Sequence, residues 1–209
     1  QRQMCIRDRA VTPIGVNTTF YAIAAPPATC VHLAVTHLAT QQRFDLVVSG
    51  INHGQNVGVD TRISGTVGAA KMAFDLGLRS TALSLDVRSE EFRGTAARAA
   101  ALIKELLGAS RVQSSRGPLL LNVNFPQGPP TTWKAPLLAR LGGSAYEVGY
   151  HVQENSDGTM ILEPTVSLST RSEVKNTDRW ALERGHITLT SLAPDRRDED
   201  GELSLIHFS

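Results

Sequence analysis

The chain has 209 residues, of which 41% are hydrophobic and 20% charged, a balance that is ordinary for a folded globular protein. Its 21 basic and 20 acidic residues give a net charge of +1, so the totals do not support attraction to nucleic acid or to a membrane surface. The sequence has neither an apolar run of the roughly eighteen residues that a spanning helix needs nor an apolar signal-peptide core, which predicts a cytoplasmic protein with a small-molecule partner.

The two ends of the chain do not continue the pattern of the rest. Residues 1–9 read QRQMCIRDR and show no amphipathic period, while the apolar ending LSLIHFS follows a charged stretch abruptly. We predict that residues 1–9, and part of the tail at 196–209, are not native protein sequence. Natural ragged termini are the alternative.

Between residues 10 and 126 the chain alternates predicted strands and helices. The run FDLVVSGI at 44–51 is apolar without alternation, which is typical of a strand buried on both faces in a parallel sheet. The other predicted elements are a strand at 18–24, a helix from about Thr29 to Thr40, a helix after Ser64 that Gly77 ends, a strand at 80–86, a helix from Ser89 with an acidic first turn, and a strand at 119–125. The sequence therefore predicts an α/β fold with a doubly wound, mostly parallel sheet.

The segment 127–195 has a different character. It begins with a proline-rich connection, continues with two predicted strands around an Asn-Ser-Asp-Gly turn, and ends in an alternating strand at 186–192. We interpret it as a β-rich appendage that contains a hairpin and the final strand.

The glycine-rich stretch SGINHGQNVGVDTRISGTVGAA, residues 49–70, joins a predicted buried strand to a predicted helix. Ligands of doubly wound sheets bind outside the carboxyl ends of the strands, and a helix N-terminus attracts anions. Gly54, Gly58 and Gly65 allow the backbone to approach phosphate oxygens, and Ser64 and Thr66 offer hydroxyl donors.

Asn52 directly follows the predicted strand and aims an amide oxygen at the same crevice, where it suits a hard divalent cation. The alternative is that Ser64 is only a helix cap and each glycine only a turn. Neither a Walker A sequence nor GxGxxG is present, which excludes the standard nucleotide cradles. His53, the histidine of this stretch, is a candidate substrate contact.

Three motifs resemble one known family. The pattern SGIN-x-G-x-N-x-G, five residues and SGTV-x-A-A runs unbroken from Ser49 to Ala70, LLLNVNFP occupies 119–126, and NTDRWALERGHITLTSLAPD occupies 176–195. Together they are similar to the signature of the SurE family of metal-dependent phosphatases, 5′/3′-nucleotidases that act on nucleoside monophosphates. The similarity extends from about Thr12 to Asp195.

The resemblance implies a Rossmann-like sheet with a projecting β-hairpin that is often exchanged between subunits of a homodimer or homotetramer. It also implies one divalent ion, Mg²⁺ or Mn²⁺, held by two neighbouring aspartates, a serine and an asparagine. The asparagine maps onto Asn52. The positions that line the family's phosphate pocket map onto Asn56, Ser64, Gly65 and Thr66.

The family's paired aspartates and its serine ligand map onto no residue of the matched region. A single neutral amide does not hold a strongly hydrated dication. We therefore expect this chain, by itself, to be an inactive fragment of a nucleotidase. A non-catalytic module that binds phosphate or a nucleotide through Asn56, Ser64 and Thr66 is the alternative.

Overall fold

The computed structural model describes residues 6–7, 21–38, 44–108, 119–171 and 173–192. The strands in chain order are β1 (Ile6–Arg7), β2 (Ala22–Ile23), β3 (Val47–His53), β4 (Ser80–Leu85), β5 (Leu120–Phe125), β6 (Lys134–Leu138), β7 (Tyr146–Glu154), β8 (Met160–Leu168) and β9 (His186–Ser191). The helices are α1 (Pro27–Leu33), continued by a π-helical turn (Ala34–Leu38), α2 (Gly65–Asp75), α3 (Phe92–Gly108), α4 (Asp178–Leu182), and two 3-10 segments at Gly58–Arg62 and Pro130–Thr132.

The central sheet has five strands in the order β3-β4-β5-β9-β6. Strands β3, β4 and β5 are parallel, β9 runs antiparallel to β5, and β6 is parallel to β9. Every residue of β4 and β5 is buried, as expected for inner strands that are covered on both faces, although both strands include polar residues. The predicted α/β fold with a mostly parallel sheet is confirmed.

The two faces of the sheet are covered by different helices. Leu85, Val123 and Phe125 pack with residues of α3 in the larger buried cluster. On the opposite face, Ala82 and Leu120 of the sheet meet α2 in a smaller cluster. Burying one large apolar side chain contributes roughly 1.5–3 kcal/mol, so these two layers hold the sheet in its register.

The α2 face of the sheet becomes polar toward the carboxyl ends of its parallel strands. Alternate residues of a strand point to the same face, and here they are Ser84 on β4, Asn122 and Asn124 on β5, and Thr188 and Thr190 on β9. All five are buried. This polar row lies directly beneath the loop that leaves β3.

The predicted hairpin is confirmed as β7 and β8, which pair over nine antiparallel positions. Its turn spans 155–158, where Gly158 N donates to Asn155 O at 3.0 Å and Gly158 adopts the left-handed φ of 80° that a glycine tolerates. Cross-strand pairs such as Val148 with Val166 place apolar side chains on one exposed face. The hairpin therefore presents an uncovered apolar face.

Two sequence expectations were wrong at α3 and β6. The helix expected from Ser89 begins at Phe92, so the acidic residues Glu90 and Glu91 precede it and do not form its first turn. The proline-rich connection contains β6, which the sequence did not indicate. Its Pro136 is tolerated because β6 is an edge strand. On the side of β6 without a neighbouring strand, the missing N–H of proline removes no hydrogen bond between strands.

Strand β3, expected to be buried on both faces, is the edge strand of the described sheet and has exposed residues. Strand β9, expected in the β-rich appendage, lies inside the central sheet between β5 and β6, and helix α4 was not predicted. Other elements differ from expectation at their ends. Gly77 ends α2 as predicted, with a φ of 83° and Leu78 N donating to Ala73 O at 3.0 Å. The described part of the strand expected at 18–24 is Ala22–Ile23, and the helix expected to reach Thr40 is described to Leu38. Within the described ranges, no helix is long and apolar enough to cross a membrane.

Candidate active site

Asn52 lies near the carboxyl end of β3, paired in register with Ser84 of β4. Its Nδ2 donates to Gly54 O at 2.7 Å. Because the amide oxygen is opposite the nitrogen, this bond turns Oδ1 away from Gly54. The predicted metal ligand is therefore at the predicted edge of the sheet, with its amide held in a fixed orientation.

Gly54 leaves β3 with a φ of 122°, and its nitrogen donates to Leu85 O at 2.8 Å. A Cβ at this position would lie 3.3 Å from Tyr146 Oη and 3.6 Å from Asn52 Nδ2. The glycine thus satisfies a conformation that L side chains rarely adopt. It also leaves a space that a phenol hydroxyl and an amide flank.

Asn56 is fastened to the sheet by the two asparagines of β5. Its N–H donates to Asn124 Oδ1 at 2.8 Å, and its carbonyl accepts from Asn122 Nδ2 at 2.7 Å and Asn124 Nδ2 at 3.0 Å. Its own Nδ2 donates to Ser84 Oγ at 2.7 Å. The side chain faces the sheet, so these bonds position the loop, and a phosphate contact by Asn56 stays a prediction.

Ser64 caps α2, because its Oγ accepts from Val67 N at 3.2 Å. The capping role that the sequence left as an alternative is therefore present, while the hydroxyl proton stays available to a ligand. Gly65 is exposed, and a Cβ there would lie 3.3 Å from Pro27 Cγ of α1. Together with Thr66, the first turn of α2 presents N–H groups and the positive end of the helix dipole.

Asp178 holds the loop from the other end of the chain. Its carboxylate accepts main-chain N–H bonds from Gly58, Gly142 and Arg179, each at 2.8 Å. Burial raises the pKa of Asp178, and the three N–H groups oppose that rise. Gly58 has a φ of 54° and no space for a Cβ, which would lie 2.5 Å from Gly142 O.

Asp60 makes a second connection to the segment before the hairpin. It accepts from Ser144 Oγ and, at 2.7 Å, from Ala145 N. The hydroxyl of the next residue, Tyr146, donates to Gln55 O at 3.4 Å. Burial raises the pKa of Tyr146, and the negative charges of Asp60 and Asp86 raise it further.

Asp86 follows β4 and is buried at the same edge. Arg88 Nε donates to its Oδ1 at 2.9 Å and Nη2 to its Oδ2 at 2.6 Å, an interaction that raises the pKa of Arg88.

His53 is exposed on the α3 side, with Nε2 at 3.0 Å from Val87 O and its ring 5.4 Å from that of Phe92. A substrate contact by His53 stays a prediction.

An open cavity of about 460 Å³ lies at the base of the hairpin, but neither Asn52 nor Ser64 lines it. Its cationic Arg179 is already engaged, donating to Ser144 O at 2.6 Å, Ser169 O at 2.6 Å and Glu173 at 3.1 Å. This guanidinium stabilises the hairpin base, so the loop from Asn52 to Thr66 is the better candidate for an anion site.

The family model for Survival protein SurE matches residues 3–148. The chain belongs to the SurE family. Two relatives named 5′-nucleotidase SurE support this. The one from Laribacter hongkongensis is 33% identical, and the match covers 90% of this chain and 74% of the relative. The one from Actinobacillus succinogenes is 36% identical, and the match covers 88% of this chain and 72% of the relative. The SurE protein from Aquifex aeolicus, a crystal structure, aligns with a TM-score of 0.72 at 28% identity, covering 91% of this chain and 73% of its own.

Several residues that organise the candidate site of this SurE chain were not predicted from its sequence. Asp60 lies inside the glycine-rich stretch and Asp178 inside the third motif, so both were visible as acidic residues within matched segments. Asp86 and Tyr146 carried no such signal, because only the folded chain brings them to the edge where Asn52 lies.

Proposed function

We propose that the complete SurE protein that carries this chain is a phosphatase that hydrolyses nucleoside monophosphates to nucleoside and phosphate. The observation that carries the proposal is the geometry of one loop. It leaves the carboxyl end of β3 at Asn52 and enters α2 at Ser64, so an amide oxygen and a helix N-terminus belong to one short segment at the ligand-binding edge. The relatives' name, 5′-nucleotidase SurE, supports the substrate class.

The chain's own residues supply electrostatic stabilisation in this reaction. The N–H groups of Gly65 and Thr66 and the hydroxyls of Ser64 and Thr66 donate hydrogen bonds to phosphate oxygens, and the α2 dipole favours their negative charge. Charge shifts among the phosphate oxygens as water attacks, and donors already fixed in place stabilise it without reorganisation. The hydrogen bonds of Asn56 to β5 keep that loop in place.

A divalent ion, Mg²⁺ or Mn²⁺, is part of the proposal and would polarise the phosphate. Asn52 Oδ1 is the ligand that the chain provides. Within the described ranges no three His, Cys, Asp or Glu side chains group together as metal ligands would. Nearby Asp86 has both oxygens bonded to Arg88.

The described residues therefore supply one neutral ligand, whereas a hard dication prefers several oxygens, with carboxylates among them. We propose that the 209-residue chain alone does not turn over nucleotides.

We also propose that the protein forms a homodimer or homotetramer through β7 and β8. The apolar face of the hairpin is exposed, with Val148 at 55%, Tyr150 at 63%, Leu162 at 54% and Val166 at 62%. Apolar patches of this kind are uncommon on monomers and mark interaction sites. A second copy of the same hairpin offers a matching apolar face.

Phosphate release from a panel of nucleoside monophosphates, with and without Mn²⁺, tests the proposed activity. The 209-residue chain is compared with a version that carries the coding sequence upstream of it. We expect Mn²⁺-dependent release by the extended version alone. Nucleotide binding without release by either version would favour the binding module, and release by the 209-residue chain would show that it completes its own metal site.

A further inference from the structure

The hydroxyl of Tyr146 lies beside Gly54 and Gln55, within the loop that runs from Asn52 to Thr66. The Cβ position at Gly54, where no side chain exists, is 3.3 Å from Tyr146 Oη and 3.6 Å from Asn52 Nδ2. The phenol and the amide therefore flank one small space beside the predicted metal ligand. Tyr146 comes from the first residue of the hairpin, more than ninety positions further along the chain.

Tyr146 is held in place by residues of the loop that it faces. Asp60 accepts from Ala145 N at 2.7 Å and from Ser144 Oγ, and Tyr146 N donates to Ser144 Oγ at 3.0 Å. The tyrosine ring packs against the buried cluster of Val57, Ala145 and Leu182. The backbone and the ring are thus fixed on both sides of the hydroxyl.

The hydroxyl itself is weakly bonded. Its acceptor, Gln55 O, is 3.4 Å away, whereas O–H···O bonds in proteins are usually about 2.7–2.8 Å long. A purely structural tyrosine at this position gains little from such a bond. A charged acceptor that enters the space beside Gly54 can take this proton in a shorter and stronger hydrogen bond.

We propose that Tyr146 is a substrate-contacting residue whose hydroxyl donates a hydrogen bond to a phosphate oxygen of the nucleotide. This inference rests on the proposed function and adds to it a donor from the hairpin, in addition to the donors of α2. The phosphate is then held between two elements that are distant in sequence. Because Tyr146 is the first residue of β7, a phosphate bound there also touches the element proposed to mediate assembly.

The test compares Tyr146→Phe with Tyr21→Phe, which removes the hydroxyl of an exposed tyrosine. Binding of inorganic phosphate and of adenosine 5′-monophosphate to the full chain is measured by calorimetry with Mn²⁺ present. Loss of a hydrogen bond to a charged group predicts affinity weaker by about tenfold or more in Y146F, and unchanged affinity in Y21F.

A second readout works in the unsubstituted chain, so it does not depend on the folding of Y146F. With 3-fluorotyrosine at the three tyrosine positions, ¹⁹F spectra resolve each ring. We expect either ligand to shift the Tyr146 resonance and leave that of Tyr21 in place. Ligand binding with an unmoved Tyr146 resonance, or with equal affinity in Y146F, overturns this inference alone. Failure of the unsubstituted chain to bind either ligand overturns this inference together with the proposal that the loop from Asn52 to Thr66 binds phosphate. The nucleotidase proposal is tested separately, by phosphate release from the extended version.

Discussion

Asp178 accepts a hydrogen bond from the main-chain nitrogen of Gly58 at 2.8 Å, across 120 residues of chain. The same carboxylate accepts from Gly142, which precedes the hairpin. One buried side chain therefore ties the candidate phosphate loop to the hairpin base. With Asp60 bonded to Ser144 and Ala145, the loop and the hairpin are linked at two points.

Replacing Asp178 by asparagine removes this link. An asparagine keeps one acceptor oxygen but directs an NH₂ donor at main-chain N–H groups that need an acceptor. We expect Asp178→Asn to lower the free energy of unfolding by about 1–3 kcal/mol in urea denaturation. The matched control is Asp45→Asn at an exposed site, with a change expected below about 0.5 kcal/mol. Equal stability of the two variants would contradict the link.

Replacing Asn124 by alanine loosens the loop from the sheet. The variant leaves the buried N–H of Asn56 without its acceptor, which costs about 1–3 kcal/mol. We expect faster amide hydrogen exchange at Asn56 than in the unsubstituted protein. Gln153→Ala, at an exposed amide on the hairpin, is the control. Unchanged exchange at Asn56 in Asn124→Ala would show that β5 does not hold the loop.

Tyr146 makes stability depend on alkaline pH. Burial raises its pKa above the ordinary 10.0, so the fold favours the neutral phenol. This stabilisation is complete below the unfolded pKa and is lost as pH rises through the higher folded value. Ultraviolet titration should show a late tyrosinate step, above the ordinary pKa of 10.0, that is absent in Tyr146→Phe. A late step that persists in that variant would refute the assignment.

A charge on the apolar face of the hairpin should disrupt assembly. Val148 faces Val166 on that side, and Gln153 points to the opposite side. We expect Val148→Lys to lower the mass measured by analytical ultracentrifugation to that of one chain, because a buried ammonium is costly. Gln153→Lys should leave the mass unchanged. A monomeric unsubstituted protein would contradict the assembly proposal directly.

The sheet was predictable because its signals are local. The apolar runs located β3 and β5, and β5 is buried throughout, whereas β3 is the edge strand of the described sheet and has exposed residues, so its expected cover on both faces was wrong. Gly77 ends α2 as a glycine at that position should. The position of Asn52 follows from the same logic, since a residue that closes a parallel strand lies at the ligand-binding edge.

The fastening of the site was not predictable, because it is made by contacts between distant segments. The motif Leu-Asn-Val-Asn carries a family resemblance, but its physical meaning needs the fold: Asn122 and Asn124 are alternate residues, so both face the loop and bind the backbone of Asn56. Tyr146 was hidden for the same reason. Its hydroxyl becomes a candidate ligand contact only because the fold brings the hairpin base next to Gly54.

The most direct test of the account is where a nucleotide binds. Adenosine 5′-monophosphate is added with Mg²⁺ to ¹⁵N-labelled protein, and the glycine amide shifts are followed by nuclear magnetic resonance. If the nucleotide binds at the loop from Asn52 to Thr66, the amides of Gly54 and Gly65 shift and that of Gly158, in the hairpin turn, does not. Shifts at Gly143, in the cavity at the hairpin base, without any at Gly54 and Gly65 would contradict the account.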